Sequence, residues 1–115
     1  MNEFGITEKS YRLIMEAFPK FSGIEEVLVF GSRAMGNYKT GSDIDFAIKG
    51  KQASNRVAWD ISGYLNESLP IPYYIDVVYY DALTNPELKE HIDRFGKLFY
   101  SRPAAVTSIE AGNTE

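Results

Sequence analysis

The stretch Glu25-Glu26-Val27-Leu28-Val29-Phe30-Gly31-Ser32-Arg33-Ala34-Met35-Gly36-Asn37-Tyr38-Lys39-Thr40-Gly41-Ser42-Asp43-Ile44-Asp45-Phe46-Ala47-Ile48 decides how the rest of the chain is read. Its opening, Glu25 to Phe30, is β-branched and aromatic and becomes apolar on both faces, which predicts a strand buried in the middle of a sheet. Its end alternates strictly. Ile44, Phe46 and Ile48 fall on one face and Asp43, Asp45 and Ala47 on the other, the period of a half-buried strand that Gly50 closes. Between the two, Gly31 and Gly36 bound a turn in which Ser32 is expected to cap a short helical turn through Arg33-Ala34-Met35.

Outward from this stretch the pattern is helical on both sides. Leu13, Ile14, Ala17, Phe18 and Phe21 stand at helical spacing, so a helix is expected over Thr7 to Phe21, with Thr7 as N-cap and Pro19 and Ser22-Gly23 marking its end. A second helix, from about Gln52 to Ser68, carries Val57, Ala58, Ile61, Tyr64 and Leu65 on one stripe before Pro70 and Pro72 break the chain. Tyr74 to Tyr80 reads as a third strand. A helix from Asn85 or Pro86 to Arg94 follows, Gly96 ends it, and Leu98-Phe99-Tyr100 suggest a short edge strand. This order predicts a two- or three-layer α/β domain of the α+β type, with helices packed on a small mixed sheet. Residues 1–100 are expected to form the domain, and 101–115, with few large apolar side chains, a mobile tail.

Composition narrows the chemistry. A chain of 115 residues that is 44% hydrophobic can bury a core without a disulfide or structural metal, and the lack of cysteine excludes a disulfide scaffold, a thiolate zinc site and a thiol nucleophile. No apolar run approaches the roughly 20 residues of a membrane span, and Met1-Asn2-Glu3-Phe4 lacks the features of a secretory signal. A cytoplasmic location is the expectation. With 12 basic against 16 acidic residues, the net charge of −4 argues against coating a nucleic-acid backbone. An anionic ligand therefore has to be held locally, by backbone N–H groups, a few basic side chains or a divalent cation.

Three features converge on such a ligand. The Gly31-Ser32 turn aims N–H groups at an anion, although a plain strand-to-helix connection with a serine cap competes with that reading. It is not a P-loop, because Asn37-Tyr38 stand where Lys and Ser/Thr are required. Asp43 and Asp45, two apart on a strand, share one face; like charges so close call for a counter-ion, and Mg²⁺ prefers carboxylate oxygens shared with phosphates. The bland alternative is a pair of solvent-facing acids. Asp76 sits inside an apolar strand, where an unpaired buried carboxylate is costly, unless that strand is a sheet edge facing water. Three carboxylates beside a glycine turn suit two-metal phosphoryl or nucleotidyl transfer.

Gly31-Ser32, ten intervening residues, Asp43-Ile44-Asp45 and the later Asp76 resemble the nucleotidyltransferases of the DNA polymerase β type. More narrowly, Phe30-Gly31-Ser32-Arg33-Ala34-x-Gly36 followed by Gly41-Ser42-Asp43-Ile44-Asp45 resembles the minimal nucleotidyltransferase (MNT) proteins, over about residues 7–100. The resemblance implies the polymerase β-like nucleotidyltransferase fold. It implies that Asp43 and Asp45 ligate two Mg²⁺ ions, that Asp76 completes the metal site and helps activate the attacking hydroxyl, and that Gly31 and Ser32 hold the phosphates of ATP, with Arg33 adding a phosphate contact. Asn37 departs from the small hydroxyl or acidic residue often found at that place. Because no chain remains for an acceptor domain, the resemblance further implies a small helical HEPN-type protein as partner and acceptor of AMP, with this chain as antitoxin of a toxin–antitoxin pair. A binding module that neutralises a helical partner by occlusion is the alternative, transfer to a small molecule such as an aminoglycoside is another, and homo-oligomerisation is left open.

Other residues carry weaker signals. Trp59 falls on the polar side of its helix, which suggests a partner surface, or else a ring lying flat over its neighbours or covered by the tail. Tyr73, Tyr74, Tyr79 and Tyr80 read as sheet packing rather than a base-stacking platform. His91, the only histidine, is expected at the surface with no catalytic part.

Overall fold

Capping side chains decide where the helices start. Thr7 accepts the N–H of Ser10 and opens α1, Glu8–Ala17; Ser54 accepts that of Val57 and opens α3, Asn55–Glu67, three residues later than the hydrophobic stripe alone suggests. Asn85 accepts the N–H groups of Glu87 and Leu88 and, with Pro86 at the first position, opens α4, Pro86–Phe95. Pro19 explains why the first helix is shorter than expected. Its ring and missing N–H cannot continue an α-helix, so the chain tightens into a 3-10 turn over Phe18–Lys20. These bounds come from a computed structural model, which describes residues 2–103. The mobile tail expected at the C-terminus lies, from residue 104 onward, outside the described residues.

Four strands, β1 (Glu26–Phe30), β2 (Ile44–Lys49), β3 (Ile75–Tyr79) and β4 (Lys97–Ser101), form one mixed sheet in the order β3-β2-β1-β4. β1 is antiparallel to both β2 and β4, and β2 is parallel to β3, the crossover being α3. The expected central strand is thus central, with a neighbour on each side. The short helix α2, Ser32–Met35, follows β1 directly.

The sheet is covered on both faces, so the arrangement has three layers. On one side Phe18, Ile14, Ile61 and Leu65 from the α1 and α3 layer meet Val27, Val29, Ile44, Phe46, Ile48 and Ile75, all fully buried. Phe18 packs edge-on against Phe46 at 5.4 Å between ring centroids, and Phe99 of β4 lies 4.8 Å from Phe46. On the other side α4 sets Ile92 against Phe30 and Ala47, with Leu88 and Leu83 packed around them. β2 is therefore more than half-buried. Ala47, on the face shared with Asp45, is as inaccessible as Ile48, and this second face opens only toward the start of the strand.

Candidate functional site

The start of β2 and the end of β1 meet at one place. Phe30 is the antiparallel partner of Asp45, so the residue after β1, Gly31, is carried to the side of the Asp45 carboxylate. Gly31 has φ +74°, a region that favours glycine, and a Cβ there would run into the Asp45 carboxyl group. Gly31→Ala is expected to cost about 1–3 kcal/mol through the backbone alone, because φ +74° with ψ −155° is a region open essentially to glycine only, and to displace Asp45 as well. A lowered urea midpoint checks it; an unchanged midpoint would mean the turn does not need glycine.

Asp76 reaches this place through β3. The parallel register sets Asp76 directly opposite Asp45, so their side chains leave the same face of adjacent strands. Of the two readings of Asp76, the sheet edge facing water is the one found. β3 is an edge strand and Asp76 is exposed, so no cost of burial marks it; only the register with Asp45 does. Asp43 is also exposed and precedes β2, while Asp45 is partly buried between them. The Asp45 carboxyl is held above its ordinary value, first by burial and then by the charges of Asp76 and Asp43, with His91 opposing. Asp45 has no lysine or arginine in an ion pair among the described residues.

Two expectations need correction. Ser32 does not cap α2; Gly31 itself is the N-cap, its carbonyl accepting from Ala34 and Met35, and Ser32 is the first helical residue. Arg33 is not available as a phosphate contact. It is 2% exposed, and its guanidinium donates to the carbonyls of Ser42 (2.7 and 3.1 Å), Phe4 (2.9 Å) and Gly5 (3.2 Å), between the rings of Tyr38 and Tyr73 at 5.0 and 4.8 Å. A buried cation is tolerated here because carbonyl oxygens and aromatic faces surround it. Through Ser42, Arg33 fixes the residue that precedes Asp43.

His91 is the site residue that the sequence reading missed. The Gly31 N–H donates to its Nε2 at 3.0 Å, and the imidazole lies against Phe30 and Phe95, with centroids at 6.0 and 5.3 Å. The accepting nitrogen thus faces Gly31. His91 holds the peptide that joins β1 to α2, and occupies an N–H expected to face phosphate. A signal existed: Leu88, Ile92 and Phe95 lie one helical turn either side of or next to His91, which puts it at the border of the inward stripe of α4.

The acids suit a hard divalent cation by donor type. Among the described residues, no group of three or more His, Asp and Glu is gathered closely enough to hold a metal by itself. The register of Asp45 and Asp76 sets two carboxylates on one face, and magnesium commonly takes one or two carboxylates with further oxygens from substrate phosphates and water. No helix among the described residues is long and apolar enough to cross a membrane.

Residues 13–105 match the family described as Polymerase beta, Nucleotidyltransferase. No curated protein is significantly similar in sequence. Among solved structures, a chain of a toxin–antitoxin complex with AMP-PNP superposes with a TM-score of 0.64 at 20% identity, over 80% of this chain and 73% of that one. A tri-AMPylated Shewanella oneidensis HEPN toxin in complex with an MNT antitoxin gives 0.60 at 18% identity, covering 83% and 72%. The toxin–antitoxin pair MntA-HepT gives 0.60 at 17% identity, covering 84% and 74%. At such identities the likeness is one of fold.

Proposed function

Because this chain belongs to the polymerase β nucleotidyltransferase family, we propose that it transfers AMP from ATP to a hydroxyl group of a helical partner protein, as the antitoxin of a HEPN–MNT pair. The observation that carries the reading is the pairing of Asp45 with Asp76 across parallel strands, beside a glycine with no room for a side chain. Solved relatives of the same fold include complexes with AMP-PNP and with an AMPylated HEPN toxin, which supports the choice of nucleotide and partner.

In this reading Asp43, Asp45 and Asp76 would hold two Mg²⁺ ions, with the triphosphate completing their coordination. Such cations would supply charge neutralisation at the α-phosphate and a lowered pKa for the attacking hydroxyl. Gly31 and Ser32 approach the phosphates with backbone alone on one side, and the Ser32 hydroxyl supplies a donor. Asp76, on the open edge strand, faces the incoming acceptor and takes part in removing its proton. The acceptor oxygen forms a bond to the α-phosphorus, the bond to the bridging oxygen of the β-phosphate breaks, and pyrophosphate leaves. Arg33 and His91 act at one remove, holding Ser42 and the Gly31 peptide.

The test is to incubate the chain and its partner with ATP labelled at the α-phosphate and Mg²⁺, then measure the mass of the partner. An increase of one or more AMP units is expected. Binding without any label transfer would replace the enzyme reading by neutralisation through occlusion.

A further inference from the structure

β3 is an open edge, and its two flanks are unequal. In the parallel ladder Ile44 donates to the Tyr74 carbonyl, so Tyr74, Asp76 and Val78 turn their backbone groups toward β2, while Ile75, Val77 and Tyr79 turn theirs outward. Ile75 is already paired. The Asn66 side chain of α3 accepts the Ile75 N–H at 2.8 Å and donates to its carbonyl at 2.7 Å, so one amide imitates the first residue of a neighbouring strand. Beyond it, no strand among the described residues pairs with Val77 and Tyr79. β3 also lacks the lysine or proline with which edges are commonly protected, whereas the opposite edge strand begins with Lys97.

A groove of about 400 Å³ runs along this open edge, with Trp59 and Ser62 of α3 on one bank and Leu83 on the other, and Asp76 belongs to its lining. Trp59 is 78% exposed and Tyr74 60% exposed, and both also line the adjoining groove, where Asp60 and Glu67 lie. No basic side chain lines either groove among the described residues, and of the three acids only Asp60 is paired, with Arg56.

We propose that the open edge of β3 is the docking site for the acceptor: an extended, basic segment of the partner adds as a strand beside Val77 and Tyr79, continuing the pairing that Asn66 begins. Strand addition supplies affinity through the main chain, and the alternation of side chains supplies direction. In an added strand every second residue leaves on the face shared by Asp76 and Asp45, which delivers a hydroxyl-bearing side chain to the carboxylates. The residues between face α3, where the Trp59 ring and Glu67 receive a Lys or Arg. That the segment carries the acceptor hydroxyl rests on the function proposed above; that it docks does not.

The experiment titrates the full chain, without nucleotide, against a synthetic peptide of about ten residues with a central Tyr among alternating Lys and Thr. Binding is followed by the fluorescence of Trp59, the sole tryptophan, and by the amide signals of Val77 and Tyr79. Saturable binding that moves both amides is expected, and a peptide N-methylated on the pairing edge, which loses two or so backbone hydrogen bonds, should bind about tenfold more weakly. An analogue with Glu in place of Lys should bind more weakly still. Val77→Pro removes an outward N–H without touching the β2 ladder and should abolish binding; Trp59→Arg, at an exposed site and read by the Val77 and Tyr79 amide signals alone, gives the same result should the proline variant not fold. Equal binding of the N-methylated and acidic peptides, amide changes away from β3, or concentration-dependent pairing of two copies through this edge would each overturn the proposal. Docking that persists while the partner never gains AMP overturns only the transferase reading.

Discussion

Asp45→Asn is expected to lower nucleotidyl transfer by about a thousandfold or more while raising the thermal stability of the metal-free protein at neutral pH. The two effects share one cause. Burial and the charges of Asp76 and Asp43 hold the Asp45 carboxyl above its ordinary value, so the folded state keeps this proton to a higher pH than the unfolded chain does. Stability from this group is therefore present at pH below the ordinary carboxylate range and declines as pH rises toward the folded value. The amide is nearly isosteric, cannot ionise, and should remove that decline. Magnesium should raise the melting temperature of the parent more than that of the variant, which keeps only Asp43 and Asp76 of the three carboxylates proposed to hold the cations. Labelled-ATP transfer and thermal scans with and without Mg²⁺ check both; undiminished transfer would sink the assignment of Asp45 to the metals.

Arg33→Ala is expected to destabilise the fold by about 3 kcal/mol or more, because three carbonyls lose a charged donor and a cavity opens between two rings. Arg33→Lys should recover only part of this. An ammonium is a single point, whereas the guanidinium fork reaches Ser42 with one side and Phe4 and Gly5 with the other. Urea denaturation measures the loss. A normal midpoint combined with a raised KM for ATP would restore Arg33 to the phosphates and remove it from the framework.

How much of this was legible in the chain follows the range of the interactions involved. The turn between β1 and β2 and the spacing of Asp43 from Asp45 depend on neighbours within a few residues, so alternation, glycines and caps reveal them. Trp59 was likewise legible, since an aromatic ring off the helical stripe has nothing to pack against; it is exposed. For Asp76 the sequence leaves two readings, a costly buried acid or an acid at a sheet edge facing water. The structure has it exposed on an edge strand, and what sets it beside Asp45 is register.

Arg33 and His91 show where local reading stops. Arg33 looked like a free cation beside a phosphate turn because its partners, the carbonyls of Phe4 and Gly5, stand almost thirty residues away and are backbone atoms that leave no trace in residue type. His91 looked like a surface residue because the N–H it accepts belongs to Gly31, sixty residues earlier. Residue types and their periodicity are enough to place strands, turns and the aspartate pair, since each element follows from short-range backbone geometry and side-chain alternation. Which strand lies at the edge, which carboxylates face each other and which basic groups are already bonded depend on chain packing across long separations. Among the described residues, those contacts leave Val77 and Tyr79 of β3 without a neighbouring strand, beside the acids and at the place proposed for docking of the acceptor.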